Sequence, residues 1–230
     1  MNQPEQQTPI ESDQDERDRE AAQILDLCRK RGLFLACAES LTAGLLSDAF
    51  VRISGASDVF LGSAVTYTNE EKESILGVDK ALLDTYGAVH PQVARQMAHG
   101  ASRLYSAADK RFSNKVIGLS TTGVAGPGPD GDKPAGLVYI ACALPYGPNH
   151  SKPGIEPMSD ESDKFGSRRS EIQYEDSLRS RAWVSASYIR ELRCQGDRQQ
   201  VREQTVSAVL RLVLDQLSGR EKAGNQLARF

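Results

Sequence analysis

The sequence predicts an α/β protein, a three-layer α/β/α sandwich on a mixed sheet, and three patterns predict it. Short apolar runs of strand length alternate with longer runs whose apolar residues recur at helical spacing. Late in the chain two strand-like runs follow one another and precede a final helix. Strands that alternate with helices pair in parallel and a hairpin adds antiparallel pairs, so the sheet is mixed and covered on both faces. Polar loops follow three of the strands, at the Ser40 corner, at Tyr67-Thr68-Asn69 and at 121–126, where ligands gather in such sheets.

Residues 1–14, rich in Gln, Glu and Asp, bury too little to offset the entropy of ordering and are expected as a disordered tail. A single domain is expected over 15–218. Its first helix is expected over 16–31, with Ala21, Ile24, Leu25 and Cys28 on one face and Gly32 as the stop. The apolar run 33–37 is the first strand, the corner Ala38-Glu39-Ser40-Leu41-Thr42-Ala43-Gly44 follows, and 45–53 continues as a helix. After the break at 54–57, residues 59–67 form a second strand. A short helix starts at Asn69, by its capping side chain and the acids behind it, and stops at Gly77.

Another short helix covers 78–86, and a longer one runs from Pro91 to about residue 107 with Val93, Met97, Ala101 and Leu104 in register. Residues 115–120 are a compact strand that enters the glycine- and proline-dense loop 121–131, which must be a shaped one. Strand 136–144 pairs with 183–192. Between them 146–181 turns rich in Ser, Asp and Arg and reads as a disordered insertion whose basic clusters sit in a solvated loop. The last helix spans 197–217, with Val201, Thr205, Ala208, Val209, Leu212 and Val213 inward, and 219–230 is a polar tail.

With 230 residues, 39% hydrophobic and 26% charged, the chain supports one ordinary core. A net charge of −3 gives no global basic field, so nucleic acid is not expected as a partner. No apolar stretch is long enough to cross a bilayer and the first residues lack an apolar signal core, so a soluble, cytoplasmic protein is expected. Cys28, Cys37, Cys142 and Cys194 form no paired motif and read as core residues; Cys37 lies near Ser40 but has no neighbouring base. The three histidines have no metal-ligand spacing, so no metal site is expected.

The corner at 38–44 carries the candidate chemistry. A chain passing from strand to helix exposes the unpaired N–H groups of the first helical turn, which attract phosphate, carboxylate or a developing oxyanion. Ser40 and Thr42 stand beside them. The alternative is that Ser40 caps the helix.

Six ordered motifs carry a resemblance: Ala-Glu-Ser-x-Thr-x-Gly at 38–44, Val-Thr-Tyr-x-Asn-x-x-Lys at 65–72, Gly-Ala-Val at 87–89, Thr-Gly-Val-Ala-Gly-Pro at 122–127, Lys-Pro-x-Gly at 133–136, and Gly-Asp-Arg with a following Arg at 196–202. Together they resemble the CinA C-terminal domain family, the nicotinamide mononucleotide deamidases also called PncC, over 16–217 with the insertion as interruption. The resemblance implies hydrolysis of the carboxamide of nicotinamide mononucleotide (NMN) to nicotinate mononucleotide and ammonia. It implies no metal or organic cofactor and makes a homo-oligomer an expectation. The rival from another class is a catalytically silent protein that binds a pyridine nucleotide or a partner.

Amide hydrolysis needs a nucleophile, oxyanion donors and an acid for the departing ammonia. Ser40 suits the first task. No His-Asp pair is evident, so the base comes from Tyr67 or Lys72; in one arrangement Lys72 lowers the pKa of Tyr67, which exchanges the proton with Ser40. The loop residues Thr122, Gly123, Ala125 and Gly126 can cradle either the phosphate or the oxyanion. Arg198 and Arg202, about one turn apart, fork a phosphate or pair with Asp197 and Glu203. Asn69 binds substrate or caps its helix, and Glu39, Thr42 and Gly44 complete the expected substrate-binding set. Two features depart from the family: Leu137 stands where a threonine is common, and the insertion is atypical.

Overall fold

The computed structural model describes residues 12–145 and 184–218. The expectations of a disordered insertion at 146–181 and a polar tail at 219–230 lie outside the described residues, as does most of the amino-terminal tail. In chain order the described elements are α1 (Asp13–Arg31), β1 (Phe34–Glu39), α2 (Leu45–Val51), β2 (Phe60–Val65), α3 (Asn69–Leu76), α4 (Lys80–Tyr86), α5 (Pro91–Ser106), β3 (Val116–Gly123), β4 (Leu137–Pro145), β5 (Val184–Arg193) and α6 (Arg198–Ser218). Helix α1 begins inside the stretch expected to be tail. Ser12 accepts from the Asp15 amide while the Asp15 carboxylate takes the Ser12 N–H, and this reciprocal cap starts the helix at Asp13.

The sheet order is β2-β1-β3-β4-β5. β1 pairs in parallel with β2 and β3, whereas β4 runs antiparallel to both β3 and β5. The mixed α/β/α sandwich read from the sequence is therefore the observed fold. Its two faces differ in residue size. Leu35 and Cys37 of β1, Ile117 and Leu119 of β3, and Val138, Ile140 and Cys142 of β4 pack with α1, α2 and α6. On the other face of the same strands, past Phe34, Val116 and Tyr139, the alternating positions are small: Ala36 and Ala38, Gly118 and Ser120, Ala141 and Ala143.

That small face lets α5 approach closely. A Cβ on Gly118 would lie 1.9 Å from the Ala98 carbonyl oxygen, and Ser120 Oγ donates to the Ala94 carbonyl at 2.6 Å. Val93, Met97 and Ala101 of α5 are buried as their spacing predicts, but Leu104 is 40% exposed because the inward stripe continues through Ser102 and Tyr105, which meet β3 and β2, and leaves Leu104 on the outer face. In α6 the residues buried completely include Val206 and Leu210, while Ala208 is only half-buried. All four cysteines are buried free thiols. Burial holds Cys37 well above the ordinary thiol range, which leaves it unreactive.

The register places the chemistry. Glu39, the last residue of β1, sits opposite Val65 of β2 on one side and Thr121 of β3 on the other. The loops that leave these three parallel strands thus emerge at one edge of the sheet.

Candidate active site

The corner after β1 turns through consecutive left-handed residues, Ala43 (φ 45) and Gly44 (φ 99), before α2 begins. Gly44 occupies the cap position and has no side chain to offer. The fully buried Glu39 carboxylate takes that place. It accepts from the amides of Gly44 (2.9 Å), Leu46 (3.0 Å) and Ser47 (3.0 Å), and from the hydroxyls of Thr42 (2.8 Å) and Ser63 (2.8 Å). The helix amides that the sequence left open to a substrate anion are therefore spent on Glu39. Nor does Ser40 cap the helix. Glu39 and Thr42 are buried beneath the corner, with Thr42 Oγ1 also 2.8 Å from Thr121 Oγ1, and neither they nor Gly44 line the cleft above it.

Ser40 Oγ accepts from the Lys72 ammonium at 3.1 Å. Lys72 reaches it because Thr68 starts α3: Thr68 Oγ1 accepts from the Glu71 amide, and the helix brings Lys72 back over the exit of β2. Thr68, not Asn69, is the cap; both are good capping residues and the sequence pattern misplaces the boundary by one. Asn69 is exposed on the first turn and lies off the cleft. Lys72 Nζ also donates to the carbonyls of Thr66 (2.8 Å), Tyr67 (3.3 Å) and Thr68 (3.4 Å). Its side chain is completely buried, and desolvation, weakly opposed by the charge of Glu70, lowers its pKa to about 8.

Tyr67 does not stand between Lys72 and Ser40. Only its carbonyl meets the lysine, while its ring, 57% exposed, points to the far wall. There its hydroxyl accepts from Arg198 Nη2 at 2.9 Å, and Arg198 Nη1 donates to the Gly126 carbonyl at 2.5 Å. The loop after β3 is pinned at its base: Thr122 Oγ1 donates to the Ala88 carbonyl (2.8 Å) and the Val124 amide to the Leu137 carbonyl (2.9 Å). Gly123 is required there, because a Cβ would come within 2.6 Å of the Leu137 oxygen.

Arg202 has a task that neither expectation foresaw. Its Nε and Nη2 donate to the carbonyls of Leu41 (3.0 Å) and Thr42 (2.8 Å), and Nη1 to Gln199 Oε1 (2.8 Å). It clamps the corner from behind rather than facing a ligand. The resulting cleft, about 310 Å3, is lined by Ser40, Leu41, Tyr67, Ala88, Val89, the loop from Thr122 to Asp130, and Arg198. Leu41, Ala88 and the Pro127 to Asp130 segment were not singled out as site residues. The sequence signals around them were the 38–44 corner for Leu41, the Gly87-Ala88-Val89 motif for Ala88, and the glycine- and proline-dense loop 121–131 for Pro127 to Asp130. Among the described residues no group of three or more His, Cys, Asp or Glu side chains is placed to hold a metal ion, and no helix is long and apolar enough to cross a membrane.

Fold and cleft define an α/β/α domain with a serine and a buried lysine in contact beyond the carboxyl ends of its parallel strands. The chain belongs to the CinA C-terminal domain family, whose model matches residues 17–160. A CinA-like protein of Acidobacterium capsulatum is 45% identical over 123 residues, which is 53% of this chain but 28% of that protein. The chain thus matches little more than a quarter of the length of such relatives. Among solved structures, the competence/damage inducible protein CihA from Agrobacterium tumefaciens is 29% identical with a TM-score of 0.63, covering 92% of this chain and 99% of that one. The competence damage-inducible protein A from Klebsiella pneumoniae, 20% identical with a TM-score of 0.65 over 89% of this chain and 99% of that one, shares the fold.

Proposed function

We propose that this domain is an amidohydrolase that converts NMN to nicotinate mononucleotide and ammonia. The observation that carries the reading is the contact of Ser40 Oγ with a buried lysine whose pKa lies near 8. Roughly a tenth of such a lysine is unprotonated at pH 7, enough to act as a base without being neutral at rest. Lys72 then takes the Ser40 proton as Oγ attacks the carboxamide carbon, and the ammonium so formed gives a proton to the leaving ammonia. Water hydrolyses the acyl-serine with Lys72 again as base.

The amides of Leu41 and Ala125, residues that line the cleft, find no acceptor among the described residues and are the oxyanion donors of this reading. Arg198 is its phosphate seat. Both present partners of Arg198 are neutral, and a phosphate offers a stronger, charge-assisted pair. The cleft volume is within the range of small-molecule sites. The choice of NMN rests on the family resemblance.

Ammonia release from NMN by the purified protein, against Ser40→Ala, tests the reading. Turnover by the wild type and a loss of at least about a thousandfold in the variant are expected. A silent wild type leaves a binding module of the same fold, and undiminished turnover by Ser40→Ala removes the serine as nucleophile.

A further inference from the structure

Glu39 has no part in the reaction above, yet it is tied to both halves of the reacting pair. We propose that Glu39 is a positioning residue that fixes the separation of Ser40 Oγ and Lys72 Nζ; the proposal rests on the serine–lysine reading. One set of contacts orients the corner. Through Thr42, Gly44, Leu46 and Ser47 the carboxylate draws the turn after Ser40 into a single shape, so the direction of the serine side chain is set from beneath.

The other set holds the lysine. The Glu39 carbonyl accepts the Thr66 amide at 3.0 Å, and the Thr66 carbonyl is the nearest acceptor of Lys72 Nζ, at 2.8 Å. Ser63, donating to Oε1, anchors the same carboxylate to β2, the strand from which Thr66 emerges. One residue therefore spans the two segments whose separation decides whether a proton can pass.

The donor set requires a carboxylate. Three of the five groups are amides, which cannot accept, and they are shared between both oxygens: Ser47 on Oε1, Gly44 and Leu46 on Oε2. A carboxamide must turn its NH2 against at least one of them whichever way it is flipped. Glu39→Gln therefore keeps the volume and disturbs the geometry, and a shift of about 1 Å at a reacting pair costs up to a hundredfold in rate.

The test reads Ser40 without NMN, by its rate of phosphonylation with a fluorophosphonate. In that step the Oγ–P bond forms, fluoride leaves and Lys72 takes the proton. Glu39→Gln is expected to lower the plateau rate roughly tenfold or more while the pH midpoint stays near 8. Equal plateau rates in a folded Glu39→Gln sink the positioning role alone; a wild type that Ser40 labelling never marks sinks the serine–lysine reading with it. If Glu39→Gln does not fold, Ser63→Ala and Ser63→Thr decide. A severalfold loss in the first, recovered in the second, which keeps the hydroxyl donor, supports the proposal, and wild-type rates in both overturn it.

Discussion

The hollow between α1 and α6 measures about 550 Å3, the cleft above Ser40 about 310 Å3, and their charged groups are disposed in opposite ways. In the larger, Arg211 pairs with Glu16 at 2.9 Å and Glu20 at 3.3 Å, and its side chain is 53% exposed. Charges there have partners and water. Beneath the smaller, behind Ser40, Lys72 has no accessible surface, and its acceptors are a hydroxyl and three carbonyls. A cation kept out of water with no carboxylate in contact costs stability, and such a cost is characteristic of a site with work to do. Size alone points to the other hollow.

Replacing the lysine breaks this contrast most directly. Lys72→Met is expected to lower turnover about a thousandfold, as for loss of a general base. Its stability carries a pH signature. The folded pKa is near 8 against an ordinary 10.5, so between those values the unfolded chain binds more protons and wild-type stability rises with pH. Relative to Lys72→Met the wild type gains up to roughly 3 kcal/mol across that window and nothing below pH 8. Urea melts at a series of pH values read the difference; a flat difference from pH 8 to 10.5 means that the lysine is not desolvated.

The mouth of the small cleft gives the next effect. Arg198→Ala is expected to raise KM for NMN about ten- to a hundredfold, the worth of charge-assisted hydrogen bonds to a phosphate. Nicotinamide riboside, which lacks the phosphate, should be affected much less. Parallel loss with both substrates assigns Arg198 to holding Tyr67 and Gly126 in place.

What the sequence disclosed and what it hid divide along the same line. The alternation of strands and helices was legible because burial imposes a period on every element, and the Ser40 corner because a serine and glycine between strand and helix are local signals. The partners were not local. Arg202 meets the Leu41 and Thr42 carbonyls across some 160 positions of sequence, and nothing in its surroundings distinguishes a clamp from a phosphate ligand. Tyr67 and Lys72 were both named, but spacing cannot say that the strand exit turns the tyrosine ring outward while the lysine enters through backbone carbonyls. Glu39 was misread for a related reason. A buried carboxylate and a substrate-facing one look alike until its five donors are counted.

The larger hollow supplies the control, and the smallest effect. Arg211→Gln removes an exposed ion pair of the kind worth 0 to about 1 kcal/mol, and turnover should not change. Glu20 gives the loss a direction in pH. Burial already raises its carboxyl pKa and the Arg211 charge opposes that rise. Without Arg211 the pKa rises further, so the deficit belongs to the ionised carboxylate. It is fully present above the variant's raised folded pKa and fades as pH falls through the raised folded values, so it is gone by the ordinary 4.5, where the folded acid is already mostly neutral. Melting temperatures at pH 7 and pH 4 should therefore converge with the wild type at the lower pH. A tenfold fall in NMN turnover for Arg211→Gln, by contrast, would bring the α1–α6 hollow into the reaction and dissolve the distinction between paired surface charge and unpaired buried charge on which the location of the site depends.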